Sequence, residues 1–326
     1  MRSTKIALIT GGYSAENIVS FKSAKTVERA LKETYSEVFW IEIHPREWFC
    51  TIENQKYTID KNDFSITIND RKITFDFAFV VLHGTPAEDG LLPAYFELIN
   101  LKYSCCNPLA SQITFDKAAT IRYAKALNIP VSPSLEITQD EFNKNGVPNI
   151  SFSYPIFVKA CRSGSSFGVV KVNEYIELKS ALEEAFKYDN QCLIEQGMHG
   201  TEVTCGVIET KHGIETIAIT EVVAHNDFFD FDAKYNGESD EITPARITES
   251  EEKQVITLTK DIYSKFNLSG VCRIDYILVE NKPFLIEINT IPGMTDASFI
   301  PQQVQYIGKS LATFFADQIE FGLSKA

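Results

Sequence analysis

A chain of 326 residues with 44% hydrophobic content is long enough for two or three globular domains, each with its own core. Its formal net charge of −13 argues against a surface for nucleic acid or an anionic membrane, so any phosphate must be bound by local basic groups. The seven cysteines include no Cys-x-x-Cys pair, which favours reduced thiols over disulfides or a zinc site, and no apolar run reaches membrane-spanning length. We expect a soluble, cytoplasmic protein.

The first hundred residues alternate strand and helix patterns, which predicts a βαβ opening. Continuous apolar runs predict strands at 6–10, 38–43 and 77–82, with a small meander over 50–74. A Gly11-Gly12 turn precedes a helix for which Ser14 is the predicted N-cap, and a second helix is predicted over 91–99. The strand at 77–82 ends at His83-Gly84, which is where open α/β sheets place their ligands.

The remaining elements predict a mixed α/β chain. Helices are predicted at 109–127, 175–188, 251–266 and 302–321, and strands at 156–160, 169–172 and 192–195 and through most of 202–223. The segment 224–246 is polar. No internal repeat or low-complexity segment interrupts the pattern.

The most informative segment is a predicted hairpin over 273–289. Strand periodicity places Arg273 and Asp275 on one face, and likewise Glu287 and Asn289. Carboxylate and amide oxygens are the ligands that Mg²⁺ takes in metal-nucleotide sites, where water and phosphate oxygens complete the shell. The alternative is a hairpin with one solvated face. Apolar neighbours in the second strand argue against it, because an unpaired carboxylate on a buried strand is unfavourable.

Two further segments are candidates for nucleotide contacts. The Gly/Ser-rich segment 162–168 can present successive backbone N–H groups to a phosphate, with Lys159, Lys117 and Lys234 as additional positive charges. The segment 194–198, followed by Glu202, can present backbone groups to an adenine edge and a carboxylate to ribose. The structural alternative for segment 162–168 is a hairpin tip with solvated lysines nearby. The alternative for segment 194–198 is an ordinary crossover between domains.

Eight motifs in order from residue 11 to residue 301 resemble the D-alanine–D-alanine ligase family of ATP-grasp enzymes. They are Gly11-Gly12-x-Ser14-x-Glu16, His83-Gly84 with Glu88-Asp89-Gly90, Asp116-Lys117, Lys159 with Gly164-Ser165-Ser166-x-Gly168, Ile194-Glu195, Ala233-Lys234-Tyr235, Arg273-x-Asp275, and Glu287-x-Asn289-Thr290-x-Pro292-Gly293-Met294-Thr295. The resemblance implies an N-terminal parallel α/β domain at 1–110, followed by two α+β ATP-grasp domains at 111–198 and 199–326 that hold ATP between their sheets. It also implies peptidoglycan precursor synthesis and a homodimer.

The resemblance implies a role for each matching residue. The residues expected to be catalytic are Glu16, Ser165, Tyr235, Arg273 and Gly293; those expected to bind the substrate D-alanine are His83, Ser298 and Phe299. Expected ATP contacts are Lys117, Lys159, Ser166, Glu195, Gln196, Met198, Glu202 and Lys234. Asp275, Glu287 and Asn289 would bind two Mg²⁺ ions, with Mn²⁺ as a substitute. The segment 225–246 corresponds to a mobile loop that closes over the site.

Two departures from the family pattern bear on nucleotide affinity. Gln196-Gly197 stands where a Lys-Trp pair is frequent, and Ser163 stands where an acidic residue is frequent. Three other functions compete: a ligase for D-alanine and D-lactate or D-serine, another ATP-grasp ligase, and a noncatalytic nucleotide-binding module. The resemblance associates Lys-Tyr at 234–235 with the dipeptide ligase, and the intact Arg273 and metal ligands argue against the noncatalytic module.

Overall fold

The computed structural model describes residues 2–164, 167–224 and 239–325. Three sheets of six, four and five strands and a small two-stranded sheet form the structure, which confirms the predicted α/β class. The strands in chain order are β1 (Arg2–Gly11), β2 (Tyr35–Ile43), β3 (Trp48–Ile52), β4 (Gln55–Thr58), β5 (Ile66–Ile68), β6 (Arg71–Ile73), β7 (Phe77–Val80), β8 (Lys102–Tyr103), β9 (Ser134–Thr138), β10 (Ile156–Ala160), β11 (Val169–Val172), β12 (Gln191–Gln196), β13 (Thr201–Thr210), β14 (Gly213–Ala224), β15 (Ser239–Ile242), β16 (Cys272–Val279) and β17 (Lys282–Asn289).

The helices cover the faces of these sheets. In chain order they are α1 (Asn17–Lys32), α2 (Leu91–Leu98), α3 (Pro108–Phe115), α4 (Lys117–Ala126), α5 (Gln139–Asn145), α6 (Leu178–Ala185), α7 (Glu249–Lys265), α8 (Phe299–Tyr306) and α9 (Leu311–Ser324). Among the described residues, none of these helices combines the length and apolar character needed to cross a bilayer.

The first sheet has the order β4-β3-β2-β1-β7-β8, with β1 parallel to β2 and β7, and β7 parallel to β8. The prediction of Ser14 as an N-cap is wrong, because α1 begins at Asn17 and Glu16 occupies the N-cap position. The Ser14 hydroxyl instead accepts a hydrogen bond of 3.3 Å from the Glu16 N–H. The turn between β1 and α1 therefore carries Glu16 to the carboxyl edge of the parallel strands.

Two predicted helices are each divided in two. The predicted helix at 109–127 breaks at Asp116, which is extended and whose side chain accepts from Ala119 N–H as the cap of α4. Lys117 is therefore the first residue of a helix rather than near the middle of one. The predicted helix at 302–321 breaks near Gly308, whose φ of 73° favours glycine, and its first part begins earlier, at Phe299. Strand β9 and helix α5 are additional elements that the sequence pattern does not predict.

The hydrophobic cores do not follow the order of the chain. The inner face of β1 and β7 packs with α1 and also with the C-terminal helices, through Phe314, Phe315 and Ile319. A second core joins α3, α4 and α7 to the five-stranded sheet β15-β14-β13-β16-β17. The four-stranded sheet β11-β10-β12-β9 has a core of its own beneath α6. The predicted domain boundaries at residues 110 and 198 stay a prediction. Two of these hydrophobic cores contain residues from both sides of a boundary.

We predict that Gly270→Ala destabilises the fold far more than Gly308→Ala. Both glycines have similar positive φ values, 69° and 73°, so the backbone strain in alanine is matched. A Cβ at Gly270 would lie 1.9 Å from the Ser104 carbonyl oxygen, whereas nothing lies within 4 Å at Gly308. We expect a loss of about 2–4 kcal/mol for Gly270→Ala and about 1 kcal/mol for Gly308→Ala, measured by urea unfolding. Equal losses would show that the contact between 104 and 270 is loose.

Candidate active site

The hairpin of β16 and β17 brings its four predicted polar residues together. The register pairs Arg273 with Asn289 and Asp275 with Glu287, directly across the two strands. Arg273 donates to both carboxylate oxygens of Asp275, at 2.9 and 2.7 Å, and its guanidinium lies 3.7 Å from Glu287 Oε1. The predicted shared face is confirmed. A bidentate Arg–carboxylate pair of this kind fixes both side chains.

A β-bulge makes this arrangement possible. The ladder shifts between Asp275 and Tyr276, so that Tyr276 pairs with Leu285 and Ile286 has no partner in the register. Leu285 therefore packs in the core while Glu287, two residues later, faces the site. Strict alternation would put both on one face. The bulge turns the carboxylate away from the core.

The donor set on this face fits a hard divalent cation. Asp275 and Glu287 supply carboxylate oxygens, and the Asn289 amide lies 3.1 Å from Asp275 Oδ2 and 3.4 Å from Glu287 Oε1 through its nitrogen. A half-turn of that amide exchanges its nitrogen for its oxygen, which gives three oxygen donors. Thr204, opposite Asp275 on β13, donates at 2.5 Å and holds the carboxylate in place.

Lys159 faces the hairpin from the four-stranded sheet. Its neighbours Val158 and Ala160 are buried, and alternation along β10 turns Lys159 towards the cleft. Its ammonium lies 2.6 Å from Glu195 Oε2 on β12. Burial alone would lower the pKa of Lys159, but Glu195, with Glu287 and Glu202 from the five-stranded sheet, outweighs it and raises the pKa. The lysine stays charged between the two sheets.

The start of the Gly/Ser segment is held at both sides. The Lys117 ammonium donates to the Ser163 carbonyl at 2.6 Å, and the Lys117 N–H donates to the Cys161 carbonyl at 3.0 Å. Arg162 donates to both carboxylate oxygens of Asp189, and this bidentate pair holds the guanidinium against the loop before β12. Ser165 and Ser166 lie outside the described residues, so their predicted roles stay predictions.

The linker after β12 is tied to the chain beside it. The Gln196 N–H donates to the Pro133 carbonyl at 2.9 Å, and the Gln196 carbonyl accepts from the Ser132 hydroxyl at 2.7 Å. The Gly197 N–H donates to the Pro155 carbonyl at 2.7 Å. These bonds fix the path of the chain towards Met198. Glu202, predicted to face ribose, follows on β13.

Glu16 reaches the Gly/Ser segment from the first sheet. A Cβ on Gly164 would lie 2.3 Å from Glu16 Oε1, and one on Gly84 would lie 2.9 Å from Glu16 Oε2. The Glu16 carboxylate therefore lies directly against both glycines. The first sheet and the four-stranded sheet therefore meet at this side chain.

His83 connects the first sheet to the loop after β17. The side chain is buried, and its Nε2 lies 3.5 Å from Ser23 Oγ. The backbone N–H of His83 donates to the Ser20 hydroxyl at 2.9 Å. The Met294 N–H donates to the same Ser23 oxygen at 3.1 Å. Burial, with a contribution from Arg273, lowers the pKa of His83 to about 4. The imidazole is neutral at physiological pH.

The loop from Gly293 to Phe299 lies against Arg273. The Thr295 N–H donates to Ser298 Oγ at 3.1 Å, which closes the loop ahead of α8. Gly293 lies beneath Ser298, since a Cβ there would be 2.8 Å from the Ser298 hydroxyl. The Phe299 ring centroid is 5.2 Å from the Arg273 guanidinium carbon, a cation–π contact. The structure thus brings Arg273 and Gly293, which were expected to be catalytic, together with Ser298 and Phe299, which were expected to bind substrate.

Glu88 belongs to one of the eight motifs but has no predicted role, and the structure places it beside Glu16. Its Oε2 accepts from the Gly84 N–H at 2.6 Å. Burial, and then the charge of Glu16, raise the pKa of Glu88 to about 8. The sequence feature that could have indicated a role for Glu88 is its position five residues after His83 in a short turn.

Thr204 and Ser23 have no such feature in the sequence, because only the tertiary structure brings them to the site. Lys234 and Tyr235 lie outside the described residues.

We predict that Glu88 makes stability depend on pH. Its folded pKa of about 8 lies above the usual 4.5, so the folded state binds the proton more tightly. The resulting stabilisation is complete below about pH 4.5 and is lost as the pH rises through about 8. Glu88→Gln removes this loss. The difference in Tm between Glu88→Gln and the parent should therefore shift in favour of the variant by about 2 °C or more from pH 5 to pH 8.5.

The matched control is Glu183→Gln, which changes an exposed glutamate on α6. Its melting temperatures should follow those of the parent across the same range. A Glu88→Gln curve parallel to the parent would show that the carboxyl is ionised in the folded state.

Comparisons with known proteins identify the family of this chain. Family models described as D-ala D-ala ligase N-terminus and C-terminus match residues 5–106 and 123–320. A D-alanine–D-alanine ligase from Bacteroides fragilis is 42% identical over 317 residues, covering 97% of this chain and 98% of the relative. One from Flavobacterium johnsoniae is 43% identical over 321 residues, covering 98% and 99%.

Solved structures extend the likeness to the whole fold. D-alanyl-alanine synthetase A from Vibrio cholerae has a TM-score of 0.86 at 28% identity over 100% of both chains. A D-Ala:D-Ser ligase from Enterococcus faecalis has a TM-score of 0.85 at 28% identity, covering 98% of this chain and 100% of that one. The expected three-domain ATP-grasp architecture is confirmed. Together, the two family models and the full-length relatives establish that this chain belongs to the D-alanine–D-alanine ligase family.

Proposed function

We propose that this chain joins two D-alanine molecules through a D-alanyl phosphate, converting ATP to ADP and phosphate, for peptidoglycan precursor synthesis in the cytoplasm. The observation that carries the proposal is the charged cleft with Lys159 and Glu195 on one sheet and Arg273, Asp275 and Glu287 on the other, in which Glu287 is close enough to contribute to the raised pKa of Lys159. Alternating cations and carboxylates at this spacing suit a polyphosphate with its metal. They do not suit a neutral ligand.

A carboxylate is a poor acyl donor, which explains the need for ATP. One oxygen of the first D-alanine carboxylate attacks the γ-phosphorus, and ADP leaves. The amine of the second D-alanine then attacks the acyl carbon, and the tetrahedral adduct expels phosphate, which keeps the former carboxylate oxygen. Stabilisation of negative charge is therefore the main task of the protein.

Each step has candidate residues in this chain. Glu16 would hold the ammonium of the first D-alanine, with the neutral His83 beside its carboxylate. Lys117, Lys159 and Lys234 would bind phosphate oxygens. Arg273 and the Gly293 N–H would stabilise the oxyanion on the acyl carbon, and the second D-alanine would lie at Ser298 and Phe299.

Further residues would hold the nucleotide and its metal. The proposed adenosine contacts come from the four-stranded sheet and its linker, namely Glu195, Gln196, Met198 and Glu202, with Ser166 on the phosphates. When bound at Asp275, Glu287 and Asn289, two Mg²⁺ ions, or Mn²⁺ in their place, would neutralise phosphate charge. Because Arg273 already holds Asp275, the carboxylate is oriented before any metal arrives.

Isotope transfer tests the proposed reaction. D-alanine labelled with ¹⁸O in its carboxylate should give inorganic phosphate with one ¹⁸O atom, because the acyl phosphate carries that oxygen to phosphorus. Mass spectrometry of phosphate and dipeptide measures this. Phosphate without label would contradict the acyl phosphate. No phosphate release with D-alanine and ATP would favour a nucleotide-binding module.

We predict that Lys159→Ala lowers kcat/KM for ATP by about 10²-fold or more, because a charge-assisted phosphate contact in a dry site is lost. Glu195 would also lose its partner. The control is Lys179→Ala, which removes an exposed lysine from α6. Equal kinetics for both variants would contradict the phosphate role of Lys159.

A second candidate function is the joining of D-alanine to D-serine or D-lactate. It is favoured by the fold likeness to the D-Ala:D-Ser ligase from Enterococcus faecalis. Tyr235 bears on this choice, since its hydroxyl is proposed to bond with Ser165 and Glu16 and to order the closing segment. Losing that hydroxyl would leave its partners unsatisfied, at about 1–3 kcal/mol.

We predict that Tyr235→Phe lowers dipeptide synthesis and raises the share of D-alanyl-D-lactate, most clearly at low pH, where the competing amine is protonated. Product ratios with D-alanine and D-lactate both present measure this by mass spectrometry. Identical ratios in variant and parent across pH would remove Tyr235 as the selector.

We also propose that the chain is a homodimer, with D-alanine and ATP as its small-molecule partners and no role for nucleic acid or membrane. Exposed leucines on adjacent helices support the dimer, namely Leu91 and Leu98 on α2 and Leu109 on α3. Sedimentation velocity would measure the assembly, and a purely monomeric species at micromolar concentration would contradict it.

A further inference from the structure

Two cysteines that are distant in sequence meet outside the active site. Cys106 follows β8 of the first sheet, and Cys272 begins β16; they are 166 positions apart, and both are fully buried. Their sulfur atoms are 3.5 Å apart. A disulfide requires about 2.05 Å, so the sulfurs must approach by about 1.5 Å.

The loop before β16 holds the two thiols in this position. The Ser269 N–H donates to Cys106 Sγ at 3.2 Å, and the Ser269 carbonyl lies 3.2 Å from Cys106 Sγ and 3.6 Å from Cys272 Sγ. The Ser269 hydroxyl donates to the Cys105 carbonyl at 3.1 Å. Tight contact at Gly270 closes the loop on Ser104. The surrounding backbone therefore limits separation of the sulfurs.

The same contacts make the two thiols unequal. Burial raises the pKa of Cys106, but hydrogen bonds from Cys272 and Ser269 outweigh it and lower that pKa overall. Burial raises the pKa of Cys272 well above its usual value. The Ser269 N–H that donates to Cys106 Sγ stabilises the thiolate of that residue, which makes Cys106 the better nucleophile of the pair.

A cavity lies beside the thiol pair. It has a volume of about 500 Å³ and is lined by Cys105, Ser269 and Gly270, together with Phe321 and Lys325 from the C-terminal end. These residues directly adjoin the thiol pair on both chain segments. Both thiols are fully buried, so a reagent in this cavity meets Cys106 only when the turn at Ser269 opens.

We propose that Cys106 and Cys272 are an oxidation site at which a low-molecular-weight disulfide converts the two thiols into one intramolecular disulfide. The Cys106 thiolate attacks one sulfur of the small disulfide, which forms a mixed disulfide and releases one small thiolate. The Cys272 thiol then loses its proton, and its sulfur attacks Cys106 Sγ, which expels the second small thiolate. The protein loses two electrons and two protons, and the small disulfide becomes two thiols.

The crosslink would join the first sheet to the strand that carries Arg273. Cys272 directly precedes Arg273, so the new bond fixes the start of β16 relative to β8. The position of the Arg273 and Asp275 pair relative to the first sheet would then be covalently restrained. Only this consequence rests on the proposed function; the oxidation itself does not.

The test uses the full-length protein and oxidised glutathione. After incubation, the protein is denatured and alkylated with N-ethylmaleimide, and its mass is measured by mass spectrometry. Since the chain has seven cysteines, the reduced form should gain seven adducts and the oxidised form five, with one peptide linking Cys106 to Cys272. Seven adducts after prolonged incubation of the folded protein, or a link between any other pair, would overturn the proposal.

Three serine variants sharpen the result. Cys272→Ser should lose the crosslink and retain a glutathione adduct on Cys106, while Cys105→Ser and Cys50→Ser should keep the crosslink. Loss of the link in Cys105→Ser would assign the reactivity to the neighbouring thiol instead and overturn the proposal.

Kinetics then test the restraint separately. Ligase turnover of the oxidised parent should fall and return with dithiothreitol, and Cys272→Ser should show no such change. Equal turnover in both forms of a protein shown by mass to be crosslinked would refute the coupling to Arg273. A protein inactive in both forms would instead refute the proposed ligase function, with the mass result unaffected.

Discussion

The Arg273–Asp275 pair is the interaction on which the site depends. Both side chains lie on a strand whose other face is core, so each would be unfavourable there without a partner. The guanidinium neutralises Asp275, lies near Glu287, and stacks on Phe299, so one cation organises the hairpin face and the loop that follows it. An arginine can do this because its planar group bonds through its edge and stacks through its face.

The surrounding charges are balanced both within and across sheets, since Lys159 pairs with Glu195 of its own sheet. Lys159 belongs to the four-stranded sheet, yet it is influenced by Glu202 and Glu287 of the five-stranded sheet. Glu16 and Glu88 from the first sheet add two carboxyl groups, one of which holds its proton up to about pH 8. Carboxyl groups from the first, the four-stranded and the five-stranded sheets thus lie near one another, and a cation among them would relieve their mutual repulsion.

The sequence allowed good prediction wherever chemistry and local periodicity coincide. The shared face of Arg273 and Asp275 followed from alternation, and the fold class followed from the order of apolar runs. Prediction failed where tertiary contacts decide. Nothing local shows that Asp116 ends one helix and caps the next, that Ile286 bulges so that Glu287 turns to the site, or that Thr204 pairs with Asp275. Glu88 was visible in its motif, but its raised pKa depends on the approach of Glu16, which only the fold creates.

The packing of α9 against the first sheet has a consequence for dissecting the protein. Phe77 and Phe79 of that sheet are covered by residues more than two hundred positions later, including Phe315 and Ile319. A fragment ending near residue 110 would expose this apolar surface to water and would be prone to aggregation. The two ends of the chain therefore form one folding unit, and synthesis of the C-terminal helix must be complete before the first sheet is fully covered.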